Sequence, residues 1–72
     1  MGKIFVGDAF IRNCSLQALS RAGACLRVYQ AHDIPEMFDL VLEAMSINKC
    51  CRIVWRRKDR IGVEFEAGTA AI

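Results

Sequence analysis

Short stretches in which apolar and polar residues alternate are the feature that most constrains the fold of this chain. Successive side chains of a β-strand point to opposite faces, so a period of two is typical of half-buried strands. Several such strands separated by turns predict an all-β sandwich or barrel. Five or six segments fit the pattern, namely 3–6, 10–19, 24–28, 38–42, 51–56 and 60–65. We favour a barrel, because closure removes the strand edges through which chains aggregate.

The faces of these segments predict the core. Cys14, Leu16 and Ala18 share one face of the second segment. In the fifth segment Cys51, Ile53 and Trp55 do the same, and we expect Trp55 in the core. Residues 30–37 read as a polar connection in which Pro35 excludes a central strand. Residues 57–59 predict a tight turn.

Length and composition are typical of one packed domain. The chain has 72 residues, of which 54% are hydrophobic, and it carries no composition signature of disorder. We expect residues 1–66 to form the domain and residues 67–72 to be a frayed tail. No apolar run approaches the roughly 20 residues of a membrane helix, and the apolar patch at the start is too short for a signal peptide. We therefore expect a cytoplasmic protein with no membrane partner.

The four cysteines do not form a recognisable metal or disulfide pattern. They are Cys14, Cys25, Cys50 and Cys51. No pair has Cys-x-x-Cys spacing, so we expect no metal, and a reducing compartment disfavours disulfides. We expect Cys14, Cys25 and one of the adjacent pair to be small buried residues, and the other of the pair to face outward.

A Ser-x-x-Gly turn lies between the second and third segments. Ser20 can hydrogen-bond a nearby backbone group, and Gly23 can adopt a positive φ without steric cost, so the two residues predict a tight reversal. Such a turn at the end of a sheet leaves backbone N–H groups available for binding. We expect a positive φ at Gly23.

Five basic residues crowd the end of the chain, but nothing in the sequence indicates an enzyme. Arg52, Arg56, Arg57, Lys58 and Arg60 fall within nine residues of a chain whose net charge is +2. We expect a solvated hairpin end, and the alternative is a nucleic-acid surface formed with Trp55. His32 reads as an ordinary surface residue, and Ser20 has no adjacent base that would make it a nucleophile.

The stretches NCSLQALSRAGACLRV, IPEMFDLVLE and CCRIVWRRKDRIGVEF together resemble the PilZ domain, a small bacterial receptor module for cyclic di-GMP. The similarity runs from about Gly2 to Glu66. It implies a small antiparallel six-stranded β-barrel that takes part in cyclic di-GMP signalling.

The resemblance is partial at the ligand motifs. The family pattern is an Arg-x-x-x-Arg segment before the first strand and Asp/Asn-x-Ser-x-x-Gly in the turn. Ser20 and Gly23 match the second motif, Ala18 stands where the acid or amide belongs, and no Arg-x-x-x-Arg segment precedes the first strand. Arg21, inside the turn, is the remaining guanidinium that could contact the ligand. Arginine pairs phosphate through two hydrogen bonds and reads guanine edges, so its loss should cost several kcal/mol.

These matches predict a regulatory module with weak or lost affinity for cyclic di-GMP, no other cofactor, and action through an unknown protein partner. One alternative is a working receptor completed by an upstream segment or a second subunit, and another is a small basic barrel that binds nucleic acid. We consider nucleic acid the weaker alternative. We also expect self-association, because so small a domain buries little apolar area.

Overall fold

The computed structural model describes residues 2–66, which form six strands. The expected tail, 67–72, lies outside the described residues. In chain order the strands are β1 (Gly2–Val6), β2 (Ala9–Leu19), β3 (Gly23–Arg27), β4 (Met37–Leu42), β5 (Ile47–Arg56) and β6 (Arg60–Phe65). Two 3-10 turns, Ala31–Asp33 and Glu43–Met45, lie in the connections on either side of β4. Among residues 2–66 no helix is long and apolar enough to span a membrane.

The strands close into an antiparallel barrel in the order β1-β2-β3-β6-β5-β4, with β4 pairing back to β1. The predicted all-β, six-stranded barrel is confirmed. The predicted turn at residues 57–59 is also confirmed, because Arg57 N–H donates to the carbonyl of Arg60 at 2.8 Å and joins β5 to β6 as a tight hairpin.

Alternating side chains from the six strands fill the barrel. Six of the buried hydrophobic residues have 0% of their surface exposed: Ile4, Leu26, Ala31, Leu40, Cys51 and Ile61. The other buried hydrophobic residues are Cys14, Val28, Ile34, Phe38, Leu42 and Val63. The expected inner faces of segments 38–42 and 60–65 are confirmed, with Phe65 packed against the cluster from the rim.

Two β-bulges change the faces expected for Ala18 and Trp55. The register of β2 against β3 shifts between Leu16 and Ala18, and that of β5 against β6 shifts between Ile53 and Trp55. An extra residue in one strand reverses the facing of the residues beyond it. Ala18 is therefore exposed, and Trp55 lies on the outer surface with 41% of its area exposed. The expectation of a core Trp55 is wrong for this reason.

The connection between β3 and β4 is more than a polar loop. Its residues Ala31 and Ile34 are fully or almost fully buried and close one end of the barrel. Two arginines hold its backbone. Arg12 Nη1 donates to the carbonyl of Tyr29 at 2.6 Å, and Arg56 Nη1 donates to those of Ala31 and Ile34 at 2.8 and 2.6 Å.

The Ser20–Gly23 turn and the β5–β6 hairpin lie at opposite ends of β3. Gly23 begins β3 and pairs with Glu64, whereas Arg27 ends it and pairs with Arg60. Gly23 and Arg27 are four residues apart along the strand, which corresponds to about 13 Å. We call these two regions the turn end and the hairpin end.

Candidate functional site

The Ser20–Gly23 turn is closed by its own serine. Ser20 N–H donates to the carbonyl of Gly23 at 2.9 Å. The Ser20 hydroxyl accepts a hydrogen bond from Gly23 N–H at 3.2 Å and donates one to the Gly23 carbonyl at 3.3 Å. The N–H groups of Arg21 and Ala22 have no hydrogen-bond partner among residues 2–66. Two backbone donors are therefore open to solvent at this turn.

Gly23 is required by close packing and not by a positive φ. The one glycine of residues 2–66 with a positive φ is Gly7, at +61°, so the expectation for Gly23 is wrong. A Cβ on Gly23 would lie 2.0 Å from the carbonyl oxygen of Val63 and 3.0 Å from Cα of Glu64. Because both atoms belong to the β6 backbone, only a residue without a side chain permits β3 to pair at this level.

A shallow hollow of about 300 Å³ opens beside the turn. Its lining is Ala18, Leu19, Ser20, Ala22, Gly23, Ala24, Cys25, Val63 and Glu64. The methyl group of Ala18 offers no hydrogen bond, and Glu64 brings a carboxylate. Arg21 is exposed in the turn and is not part of this lining. The hollow is therefore lined mainly by apolar groups, its one carboxylate is ion-paired with Arg52, and no cation lines it, which is a poor arrangement for holding two phosphates.

Arg-x-x-x-Arg spacing does occur in the chain, at Arg52, Arg56 and Arg60, but within β5 and the hairpin rather than before β1. Each of these guanidiniums already has a partner. Arg52 bonds the carboxylate of Glu64 and lies 3.6 Å from that of Glu66, Arg56 holds the β3–β4 connection, and Arg60 lies 3.8 Å from Asp59. The hydrogen bond to Glu64 raises the pKa of Arg52. None of these three guanidiniums is therefore an unpaired cation available to a ligand at the Ser20 turn.

Trp55 covers Gly62 on the outer surface of the barrel. A Cβ on Gly62 would lie 2.1 Å from Trp55 Nε1 and 2.3 Å from Cε2. The guanidinium of Arg57 lies 5.6 Å from the centre of the indole ring, in cation–π contact. Sequence reasoning missed this pair. The available signal was Gly62 between the inward-facing Ile61 and Val63, since a glycine inside a strand often marks a close approach.

The buried thiols are held in their neutral form. Burial raises the pKa of Cys14 to about 11 and that of Cys51 to about 12. The pKa of Cys50 is also raised by desolvation, with the carboxylates of Asp39 and Glu66 adding to the effect. Thiolates are the nucleophilic and metal-binding form of cysteine, so these three thiols have little of either reactivity at neutral pH.

The expected burial of Cys14 and Cys51 is confirmed, whereas Cys25 is only half-buried. Cys25 follows Ala24 on the opposite face of β3, between small residues of the outer surface, and this facing explains its partial exposure. Among residues 2–66 no group of three or more His, Cys, Asp or Glu side chains could hold a metal ion. His32 is exposed beside Asp33, with 3.3 Å between Nε2 and Oδ1.

Comparisons of this chain with protein-family models, with curated proteins and with solved structures found no match.

Proposed function

We propose that this chain is a PilZ-type regulatory barrel that binds cyclic di-GMP weakly or not at all and acts through contacts with another protein. The proposal rests on the structure of the turn end. The serine-closed Ser20–Gly23 turn is present, while Ala18 and Glu64 line its hollow in place of groups that would attract the ligand.

The donors at the turn are too few for the ligand. Cyclic di-GMP carries two phosphates and two guanines. The turn offers the N–H groups of Arg21 and Ala22 and the exposed guanidinium of Arg21. A complete motif would add two arginines and an acid or amide at position 18, each charged hydrogen bond contributing roughly 1.5–3 kcal/mol. Losing several such bonds reduces a micromolar affinity to about millimolar or weaker, because every ~1.4 kcal/mol is tenfold.

The alternative, a barrel that binds nucleic acid, is less well supported because several of the basic residues already have partners within the chain. Arg52, Arg56 and Arg60 are ion-paired or hydrogen-bonded within the chain. A receptor completed by an upstream segment or a second subunit stays open, since either could bring arginines to the turn end.

A gain-of-function variant tests the proposal. An Arg-x-x-x-Arg segment is added ahead of Gly2 and combined with Ala18→Asp, whose carboxylate would enter the hollow beside Ser20. We expect saturable binding of cyclic di-GMP in calorimetry. The matched control carries glutamine at both arginine positions of the same segment and should not bind. If the arginine form also fails to bind while remaining folded, the turn end is not a cyclic di-GMP site that lacks only these residues.

A further inference from the structure

The hairpin end carries more positive charge than its own acids neutralise. Arg27 and Arg60 share the single carboxylate of Asp59, at 3.4 and 3.8 Å. Lys58 and Arg57 have no carboxylate within ion-pair distance among residues 2–66, and Arg57 instead lies over Trp55. All of these cations are exposed. Asp59 therefore neutralises part of the charge of two of these four cations, and the hairpin end keeps an excess of positive charge.

An exposed aromatic ring stands beside this charge. Tyr29 follows β3 and has 76% of its surface exposed, yet its backbone is fixed because Arg12 donates to its carbonyl at 2.6 Å. A hollow of about 500 Å³ lies next to the ring and is lined by Tyr29, Gln30, His32, Lys58 and Asp59. A tyrosine held outward on a fixed backbone is a typical anchor of a protein interface, because it buries a large area with little loss of conformational freedom.

We infer that the hairpin end, formed by Arg27, Tyr29, Arg57, Lys58 and Arg60, binds an acidic segment of a partner protein, with one apolar side chain of that segment in the hollow beside Tyr29. Charge complementarity identifies the partner as acidic, since its carboxylates would balance the positive charge that remains after Arg27 and Arg60 share Asp59. The inference rests on the proposed function only in taking the partner to be a protein.

The neighbouring acids favour a short acidic peptide over a nucleic-acid strand. A nucleic acid needs a continuous positive groove along several phosphates. Further along the outer surface, Arg52 is already neutralised by Glu64 and Glu66. On the other side Asp33 is exposed beside His32. A uniformly charged backbone extending past the hairpin would meet ion pairs, of Arg52 with Glu64 and Glu66 and of Arg12 with Asp33, in place of unpaired cations. A peptide can place its acids only over the cations of the hairpin end.

The test is fluorescence anisotropy of the whole chain with a labelled glutamate-rich peptide that has one central phenylalanine. Two control probes are the same peptide with glutamine in place of glutamate and a labelled oligothymidylate. Lys58→Glu reverses an exposed charge at the hairpin end. Lys3→Glu makes the same change in net charge on β1, where Lys3 lies 3.8 Å from Glu43 and away from the hairpin.

We expect saturable binding of the acidic peptide that weakens with added salt. Lys58→Glu should weaken it by about threefold to tenfold, in the range of one or two exposed ion pairs, and Lys3→Glu should change it less than twofold. Tyr29→Ala should also weaken it, and more for the phenylalanine peptide than for one with alanine at that position.

Three results would overturn the inference: equal effects of Lys58→Glu and Lys3→Glu, no binding of the acidic peptide, or tighter binding of oligothymidylate than of the peptide. The last would indicate a nucleic-acid surface. No cyclic di-GMP is present in these measurements, so a negative result would leave the nucleotide part of the proposed function intact.

Discussion

The α-carbon of Gly23 faces the main chain of Val63 so closely that a methyl group on it would lie 2.0 Å from the Val63 carbonyl oxygen. This contact joins the start of β3 to the end of β6, where Gly23 pairs with Glu64. The Ser20 turn and the closure of the barrel therefore depend on the same residue.

Gly23→Ala should lower the free energy of unfolding by about 1–3 kcal/mol, as overpacking against backbone does. The control is Gly7, which has a positive φ and no atom within 4 Å of its added Cβ. Asparagine tolerates that backbone region, so Gly7→Asn should be nearly neutral and Gly23→Asn strongly destabilising. Urea denaturation measures both. If Gly23→Asn lowers the free energy of unfolding no more than Gly7→Asn does, the close contact with Val63 does not explain why position 23 is a glycine.

Trp55 and Gly62 should be energetically coupled. Gly62→Ala would push the indole off the strand, lowering stability by about 1 kcal/mol and shifting tryptophan fluorescence to longer wavelength, because the ring gains water contact. In a Trp55→Ala background the same change should cost much less, giving an interaction energy in a double-mutant cycle. Additive effects would mean that the indole does not occupy the space above Gly62.

Arg56→Lys should loosen the β3–β4 connection. Lysine lacks the planar fork with which Arg56 reaches two carbonyls, and the loss should amount to roughly 1–2 kcal/mol. Hydrogen exchange of the Ile34 amide, which donates to the Ala31 carbonyl at 3.2 Å, should become faster. Arg57→Lys is the matched control, since Arg57 makes no such bonds, and should leave that amide unchanged. Equal exchange in both variants would contradict a clamping role for Arg56.

The buried thiols should make the barrel less stable in alkali. Their folded pKa values, about 11 for Cys14 and about 12 for Cys51, exceed the unfolded value of 9.0. Their contribution is complete below pH 9 and is lost as pH rises toward the folded values, because the unfolded chain releases these protons first. Each thiol accounts for up to about 1.4 kcal/mol per pH unit.

Urea denaturation at several pH values between about 8 and 10.5 measures this loss. In Cys51→Ala the free energy of unfolding should fall less steeply over the range, whatever its value at neutral pH. All other side chains are the same in the two proteins, so their contributions cancel in the comparison. An unchanged slope would mean that the Cys51 thiol ionises alike in both states.

Alternation in the sequence was sufficient to predict the strands, the hairpin at 57–59 and most of the core, because a closed barrel buries one face of every strand. The facing of Ala18 and Trp55 could not be predicted in this way. Each lies just beyond a bulge, and a bulge depends on pairing with a distant strand rather than on local residue pattern.

The Ser20 turn was predicted from its residue types, whereas the reason for Gly23 was not. Its close contact with Val63 joins residues far apart in the chain, and a single glycine gives the same signal for a positive φ and for close packing. The carbonyls held by Arg12 and Arg56 were missed for a similar reason, since backbone acceptors leave no mark in the sequence.

Calorimetric titration of the unmodified chain with cyclic di-GMP at physiological salt tests the central claim most directly. We expect no saturable heat at micromolar ligand, because the turn end keeps its serine-closed backbone but its hollow has a methyl group at Ala18 and no cation in its lining. Charges at the distant hairpin end are screened within ~8–10 Å and cannot compensate. A saturable isotherm with a micromolar Kd would contradict the proposal and show that other residues of this chain, or of a second copy, complete the site.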